Sequence, residues 1–193
     1  MNDQGQEIGE TPTCDASSNA ALEHWVDACV AGDRCAMQKL YEHCSGRVYA
    51  LMVRMVGRQD ADDLTQQVFL QMFRKLAQFN GRSKLETWLY RLATNEALQH
   101  LRRKKRQSAA PLLSEPSADA PDRIAATEEA RLLEAAMSRL EPELRAALLL
   151  KEQQNLSYRE IAQSVGIPEG TVGSRLNRAR KELRAELAKL GWE

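Results

Sequence analysis

The chain has 193 residues, enough for one or two domains of modest core, and no net charge, since 27 Lys and Arg balance 27 Asp and Glu. No stretch approaches the roughly 20 apolar residues of a membrane span, and the N-terminus lacks the basic and apolar regions of a secretory signal; the expectation is a cytoplasmic protein without direct membrane insertion. The charge is unevenly placed: residues 81–106 hold 8 Lys and Arg against 2 Asp and Glu, whereas residues 1–80 hold 7 against 11. That pattern excludes a general polyanion coat and favours one local contact with nucleic acid beside acidic surface offered to another partner.

Residues 1–18 are polar and aperiodic and read as a disordered tail. A helix is predicted after Ser18-Asn19, ending at Gly32. Asp33 then caps a second helix over 34–56, which Gly46 interrupts and Gly57 closes. Four cysteines, Cys14, Cys29, Cys35 and Cys44, lie in this first quarter with His24 and His43 nearby. Their spacing fits no common zinc pattern, so buried or incidental reduced thiols are expected and no metal or other cofactor is assigned.

Asp60 opens the next helix, DADDLTQQVFLQMFRKLAQF. Acidic residues in its first turn suit the positive end of the helix dipole. Ala61, Leu64, Thr65, Val68, Phe69, Met72, Leu76 and Phe79 form a broad apolar arc, and Asp63, Gln66, Gln67, Leu70 and Arg74 the opposite side. Leu70 among polar neighbours is either a singly exposed leucine or part of a docking face.

The stretch FNGRSKLETWLYRLATNEALQHLRRKKR follows. Ser83 and Glu86 have capping-box spacing. Leu85, Leu89, Leu92 and Ala93 share a core-facing side, while Thr87, Trp88, Arg91, Asn95 and Arg102 share another. A stripe of indole, amide and guanidinium groups suits nucleic acid: cations neutralise phosphate, the amide reads a base edge, and the indole stacks on an unpaired base. The plain alternative is a core tryptophan beside a solvated basic helix end.

Residues 107–127, with three of the six prolines, read as a flexible linker and domain boundary. A second helical domain, 128–190, then contains EEARLLEAAMSRL, a helix opened by Pro142, and NLSYREIAQSVGIPEGTVGSRLNRARKELRAEL. Ser157 and Glu160 form a capping box, Gly166 supplies a left-handed stop, and Pro168 opens a longer helix, the pattern of a helix-turn-helix. In that longer helix Val172, Leu176, Ala179, Leu183 and Leu187 face the core. Thr171, Ser174, Asn177, Arg178 and Lys181 lie opposite, with Arg175, Arg180 and Arg184 at the margins. The second helix of such a unit enters the major groove, where Arg178 can pair bidentately with guanine and Asn177 can read an edge.

Over residues 20–190 these stretches resemble a bacterial RNA polymerase sigma factor of the extracytoplasmic-function (group 4) type of the sigma-70 family. DADDLTQQVFLQMFRKL is similar to the polymerase-docking helix of sigma region two, FNGRSKLETWLYRLATNEALQHLRR to its melting and −10 segment, and LSYREIAQSVGIPEGTVGSRLNRARKEL to the −35 helix-turn-helix of region four. The resemblance implies an all-α fold with residues 19–106 as region two and 128–190 as region four. It implies a promoter-specificity subunit whose partners are core RNA polymerase, promoter DNA and an anti-sigma factor. Asp62, Asp63, Gln66, Gln67, Leu70 and Arg74 would bind polymerase, with Leu64, Val68 and Phe69 in the docking pattern. Phe79, Thr87, Trp88, Tyr90, Arg91, Asn95, Arg102 and Arg103 would engage the −10 element, Phe79 and Asn95 sharing a pocket for a flipped base. Thr171, Ser174, Arg175, Asn177, Arg178 and Lys181 would face the −35 duplex. Gly173 stands where the family often carries Lys or Arg, Leu85 replaces a common Phe, and Glu86 sets a negative charge beside the −10 face.

No nucleophile–base set, metal triad or phosphate loop is present, so the chain is not expected to be an enzyme, nor to take a small-molecule substrate. The competing readings are a dimeric helix-turn-helix regulator, which leaves residues 60–95 unexplained, and a redox or metal sensor built on the cysteines.

Overall fold

The computed structural model describes residues 15–108 and 127–192, with side chains from residue 21. The expected tail therefore lies mostly, and the linker almost wholly, outside the described residues, as does Cys14. The elements are α1 (Asp15–Val30), α2 (Arg34–Val56), α3 (Arg58–Lys75), a 3-10 turn (Leu76–Gln78), α4 (Leu85–Ser108), α5 (Glu128–Ser138), α6 (Pro142–Glu152), α7 (Tyr158–Val165) and α8 (Glu169–Lys189); no strand occurs among the described residues. The all-α expectation holds.

Local chemistry fixes most helix ends. The Asp33 carboxylate accepts from the Cys35 and Ala36 amides, and the Thr127 hydroxyl oxygen from the Ala130 amide. Ser157 and Glu160 form the expected reciprocal box, while Gly166 ends α7 at φ 76°, ψ 40°, a conformation that costs glycine nothing. Three expectations fail. α1 begins at Asp15, inside the segment read as a disordered tail and ahead of the expected start after Ser18-Asn19. Gly46 does not interrupt α2, which runs unbroken from Arg34 to Val56 because Leu40, Cys44, Val48, Leu51 and Met52 bury a continuous stripe around it; tertiary burial outweighs about 1 kcal/mol of glycine penalty. The Ser83–Glu86 box does not form, because α4 begins at Leu85 and Glu86 falls one position too early.

In the N-terminal bundle α2, α3 and α4 pack around Leu40, Val48, Leu51, Met52, Met55, Leu64, Val68, Met72 and Leu89, all nearly or fully buried. Tyr41 meets Phe69 edge-on at 4.7 Å. In the C-terminal bundle α6, α7 and α8 close on Leu144, Leu150, Ile161, Val172 and Leu176. The two bundles touch, α6 and α7 lying against α4, and α5 and α6 against α2.

Candidate nucleic-acid and polymerase interfaces

On α3 the apolar arc is buried and the opposite side is open. Asp62, Asp63, Gln66, Gln67, Leu70 and Arg74 are all exposed, Leu70 at 56%. Leu64, Val68 and Phe69, by contrast, are buried, so the sequence pattern that includes them divides into an outer face and its core support. Beside this face a groove of about 300 Å³ runs between α2 and α3, lined by Tyr41, Ser45, Gly46, Tyr49, Asp62, Thr65 and Gln66. Tyr41, on the edge of this groove, is 41% exposed although its ring meets Phe69.

On α4 the expected stripe divides. Trp88 is half-buried with its ring 5.5 Å from that of Phe79, and Arg91, Asn95, Arg102 and Arg103 are exposed. Phe79 and the loop Asn80–Lys84 line a cavity of about 690 Å³ closed on its other side by Leu22, Glu23, Val26 and Asp27 of α1. Asn95 does not line it: it sits two turns beyond Trp88, about 10 Å along the helix. Of the two residues expected to share a pocket, Phe79 lines this cavity and Asn95 stands apart from it.

Two further members of the set are covered. Tyr90 is 4% exposed, packed among α2 and α4, where burial raises its pKa against the opposing pull of Arg47. Thr87 is 6% exposed, and its hydroxyl donates to Glu160 of α7 at 2.9 Å. Neither presents its side chain to solvent, because Tyr90 falls on the core side of the helix and Thr87 under the other bundle. Glu86 also turns away from the stripe. One of its carboxylate oxygens is buried without a partner, and its charge raises the pKa of Cys44 and Tyr90.

The basic run at the end of α4 is tied down in part. Lys104 and His100 both meet Asp60 at 3.0 Å, Arg102 meets Glu143 at 3.0 Å, and Arg103 bonds Gln99. Burial works to raise the Asp60 pKa, but the bonds from Lys104 and His100 outweigh it and hold the carboxyl below its ordinary value.

The α8 face is open. Thr171, Ser174, Asn177, Arg178 and Lys181 are exposed, and Arg175 is half-buried. Val172, Leu176 and Ala179 are buried behind them. The Thr171 and Ser174 hydroxyls donate to the Pro168 and Thr171 carbonyls. Arg178 pairs with Glu182 at 2.7 Å and lies 3.8 Å from Glu141. Arg180, at the margin, reaches Glu152 at 2.8 Å.

Cys29 and Cys44 are buried, and Cys35 is exposed at the start of α2. Burial pushes the Cys44 thiol up to about 11, an unreactive value. No group of three or more His, Cys, Asp and Glu able to hold a metal ion is found among the described residues. No described helix is long and apolar enough to cross a membrane.

Comparison with known proteins agrees with this geometry. Residues 40–107 match the family pattern of sigma-70 region 2, and residues 130–183 that of sigma-70 region 4. The ECF RNA polymerase sigma factor SigE of Mycolicibacterium smegmatis is 38% identical over 173 residues, covering 82% of this chain and 65% of that relative. The ECF RNA polymerase sigma factor SigM of Mycobacterium tuberculosis (strain Erdman) is 37% identical over 168 residues, covering 86% of this chain and 83% of the relative. Among solved structures, the sigma factor RpoE of Bartonella quintana, in complex with the anti-sigma factor NepR, shares the fold with a TM-score of 0.66 at 24% identity, over 78% of this chain and 96% of that one. With both regions matched in order on one helical chain, the protein belongs to the ECF RNA polymerase sigma factors of the sigma-70 family.

Proposed function

We propose that this chain is a promoter-specificity subunit that docks on core RNA polymerase through the outer face of α3, reads a −35 duplex with α8, and captures a −10 strand with α4 and the loop before it. The observation that carries the reading is the exposed Leu70 amid Asp62, Asp63, Gln66, Gln67 and Arg74, an apolar centre with a polar rim that a free-standing DNA-binding regulator has no use for. Residues 19–106 then serve as region two, 107–127 as linker and 128–190 as region four.

Each surface has chemistry suited to its task. Phe79 lines the cavity of the 79–85 loop and its ring lies 5.5 Å from that of Trp88, so the two offer aromatic faces to a base drawn from the stack. Unstacking costs a few kcal/mol, and stacking on protein rings returns about 1–3 kcal/mol per base. Arg91, Asn95, Arg102 and Arg103 follow along α4 for phosphate and edge contacts. On α8, Arg178 must exchange Glu182 for guanine. A surface ion pair contributes about 0–1 kcal/mol and a bidentate guanine contact about 1–3 kcal/mol, so the exchange is favourable. The chain itself performs no catalysis; bond formation belongs to the polymerase. A protein of the anti-sigma class is a further partner in this reading, supported by the fold shared with a sigma factor solved in such a complex. The setting is cytoplasmic.

The test is reconstitution. Core polymerase lacking any sigma subunit, mixed with this chain and fragmented genomic DNA, is expected to initiate at discrete sites; no site-specific initiation overturns the reading. Leu70→Asp is expected to abolish association with core polymerase in a pull-down while leaving the helical content and unfolding midpoint unchanged. Tight binding of the chain alone to a duplex with two half-sites would instead identify a dimeric regulator.

A further inference from the structure

Gly46 stands in the middle of α2, where a glycine disfavours the helix relative to alanine. Two structural demands justify that cost: a backbone conformation closed to other residues, or a neighbour too close for a side chain. Neither applies here. The backbone at Gly46 is that of an unbroken α-helix, and a Cβ atom placed on it would meet nothing within 4 Å. The fold accepts a side chain at this position, and its absence leaves room at the surface of the bundle.

That room belongs to the groove of about 300 Å³ between α2 and α3. Tyr41, Ser45 and Tyr49 line it from α2 at successive four-residue steps, so they stand one above another on a single face. Asp62, Thr65 and Gln66 line it from α3, neighbours on the helix surface. The lining therefore holds two phenol rings, several polar groups and one carboxylate, with no lysine or arginine. Asp62 is exposed and makes no ion pair among the described residues. Thr65 is 5% exposed, and its hydroxyl has no hydrogen-bond partner among the described residues.

An unpaired carboxylate beside tyrosine rings is complementary to a guanidinium. Its plane stacks on an aromatic face, its fork of N–H donors matches a carboxylate, and its weak hydration lowers the cost of entering a groove. An apolar side chain would cover Asp62 without pairing it. A phosphate would be repelled by Asp62 and by exposed Asp63.

We propose that the α2–α3 groove, left open by Gly46, receives an arginine side chain of core RNA polymerase, which stacks on a tyrosine ring and pairs with Asp62. The proposal rests on the reading of the outer face of α3 as the docking surface, with which the groove is continuous through Asp62 and Gln66. Leu70 then supplies an apolar centre and the groove a charged anchor about 12 Å away along the helix.

The test measures association of the full chain with core polymerase, and the unfolding midpoint of every variant. Gly46→Ala adds a methyl group in open space and is expected to raise the midpoint and keep the parental affinity. Gly46→Leu fills the groove with a residue that favours the helix more than glycine does, so the midpoint should not fall. Its affinity is expected to drop about tenfold, the loss of a desolvated cation–π contact and a charge-assisted hydrogen bond. Asp62→Asn should weaken association in the parent chain but not further in Gly46→Leu, because both changes remove one contact. In the saturated complex, phenylglyoxal, which modifies guanidinium groups, should spare one polymerase arginine that it attacks when Gly46→Leu is bound instead. Parental affinity in Gly46→Leu overturns the proposal. If Leu70→Asp also binds as the parent does, the docking reading falls with it; loss in Leu70→Asp alone leaves docking standing without the groove. An additive effect of Asp62→Asn, or the absence of a protected arginine, excludes a guanidinium from the groove and equally overturns the proposal.

Discussion

The two helices assigned to DNA, α4 and α8, are built from similar residue types yet stand differently in the fold. Both are long, both carry an apolar stripe backed by Leu and Ala, and both display Arg with Asn and hydroxyl residues on the other side. In α8 that second side is open to solvent along its length. In α4 it is shared, with Thr87 buried under α7, Arg102 held by Glu143, and Trp88, Arg91 and Asn95 left accessible to differing degrees. A polar helical face is therefore not the same as an available one. Availability depends on whether the partner bundle places acceptors opposite, and here Glu160 and Glu143 do so.

The sharpest way to break the difference is at Arg145 of α6, buried where the bundles meet. Arg145→Ala leaves the Met55, Ser138 and Leu140 carbonyls without their charged donor, and hydrogen bonds to charged groups contribute about 1.5–3 kcal/mol each. A loss of about 3 kcal/mol in urea unfolding is expected, with the Met55 end of α2 losing protection in hydrogen exchange. Unaltered stability would mean that the carbonyls find water at no cost.

On the open side, Arg178→Ala should cost roughly 1–3 kcal/mol at a single base position of the −35 element, read from a promoter-variant series. Loss spread evenly over all sequences would make Arg178 a phosphate contact instead. The fold should not respond, because the partners of Arg178 among the described residues are Glu182 and Glu141, both on the surface.

Acid sharpens the comparison on the covered side. Burial works to raise the Glu160 pKa, but bonds from the Ser157 hydroxyl and amide and the Thr87 hydroxyl outweigh it and hold the carboxyl below its ordinary value. A depressed folded-state pKa means stability that is present above the unfolded value and lost as pH falls through the folded one. Acidification should therefore loosen the α4–α7 contact, and Glu160→Gln, which keeps a capping-competent side chain, should lose less stability between neutral pH and the acid range than the parent chain. Equal acid sensitivity in urea unfolding would remove Glu160 from the account.

The smallest effect belongs to Gly173, in the second turn of α8. A methyl group there would meet only the Tyr158 ring, at 3.5 Å, an ordinary contact. Gly173→Ala is expected to raise stability by about 0.5–1 kcal/mol through helix propensity. No gain in thermal unfolding would point to a cost at the Tyr158 contact.

Much of this molecule was written locally. Asp33, Thr127, Ser157 with Glu160, Gly166 and Pro142 mark helix ends because a cap, a left-handed residue or a missing amide acts within a few residues of itself. The outer faces of α3 and α8 were legible for the same kind of reason: a 3.6-residue period places Leu64 and Val172 inside and Leu70 and Asn177 outside, and no other described helix buries those faces. Reading failed where the answer lay across the chain. Gly46 stays helical because the stripe around it is buried, and Tyr90 is core because α2 lies against it. Phe79 meets the Trp88 ring across the loop that precedes α4, a contact that periodicity does not show. Arg145, which periodicity marks only as a cation among leucines, takes its role from the Met55 carbonyl, 90 positions earlier. Sequence alone determined the helices, their caps and two open faces, because those depend on neighbours along the chain. Which half of the α4 stripe remains free was decided only by tertiary structure, since a hydrogen bond between Thr87 and Glu160 exists only after both bundles have folded and met.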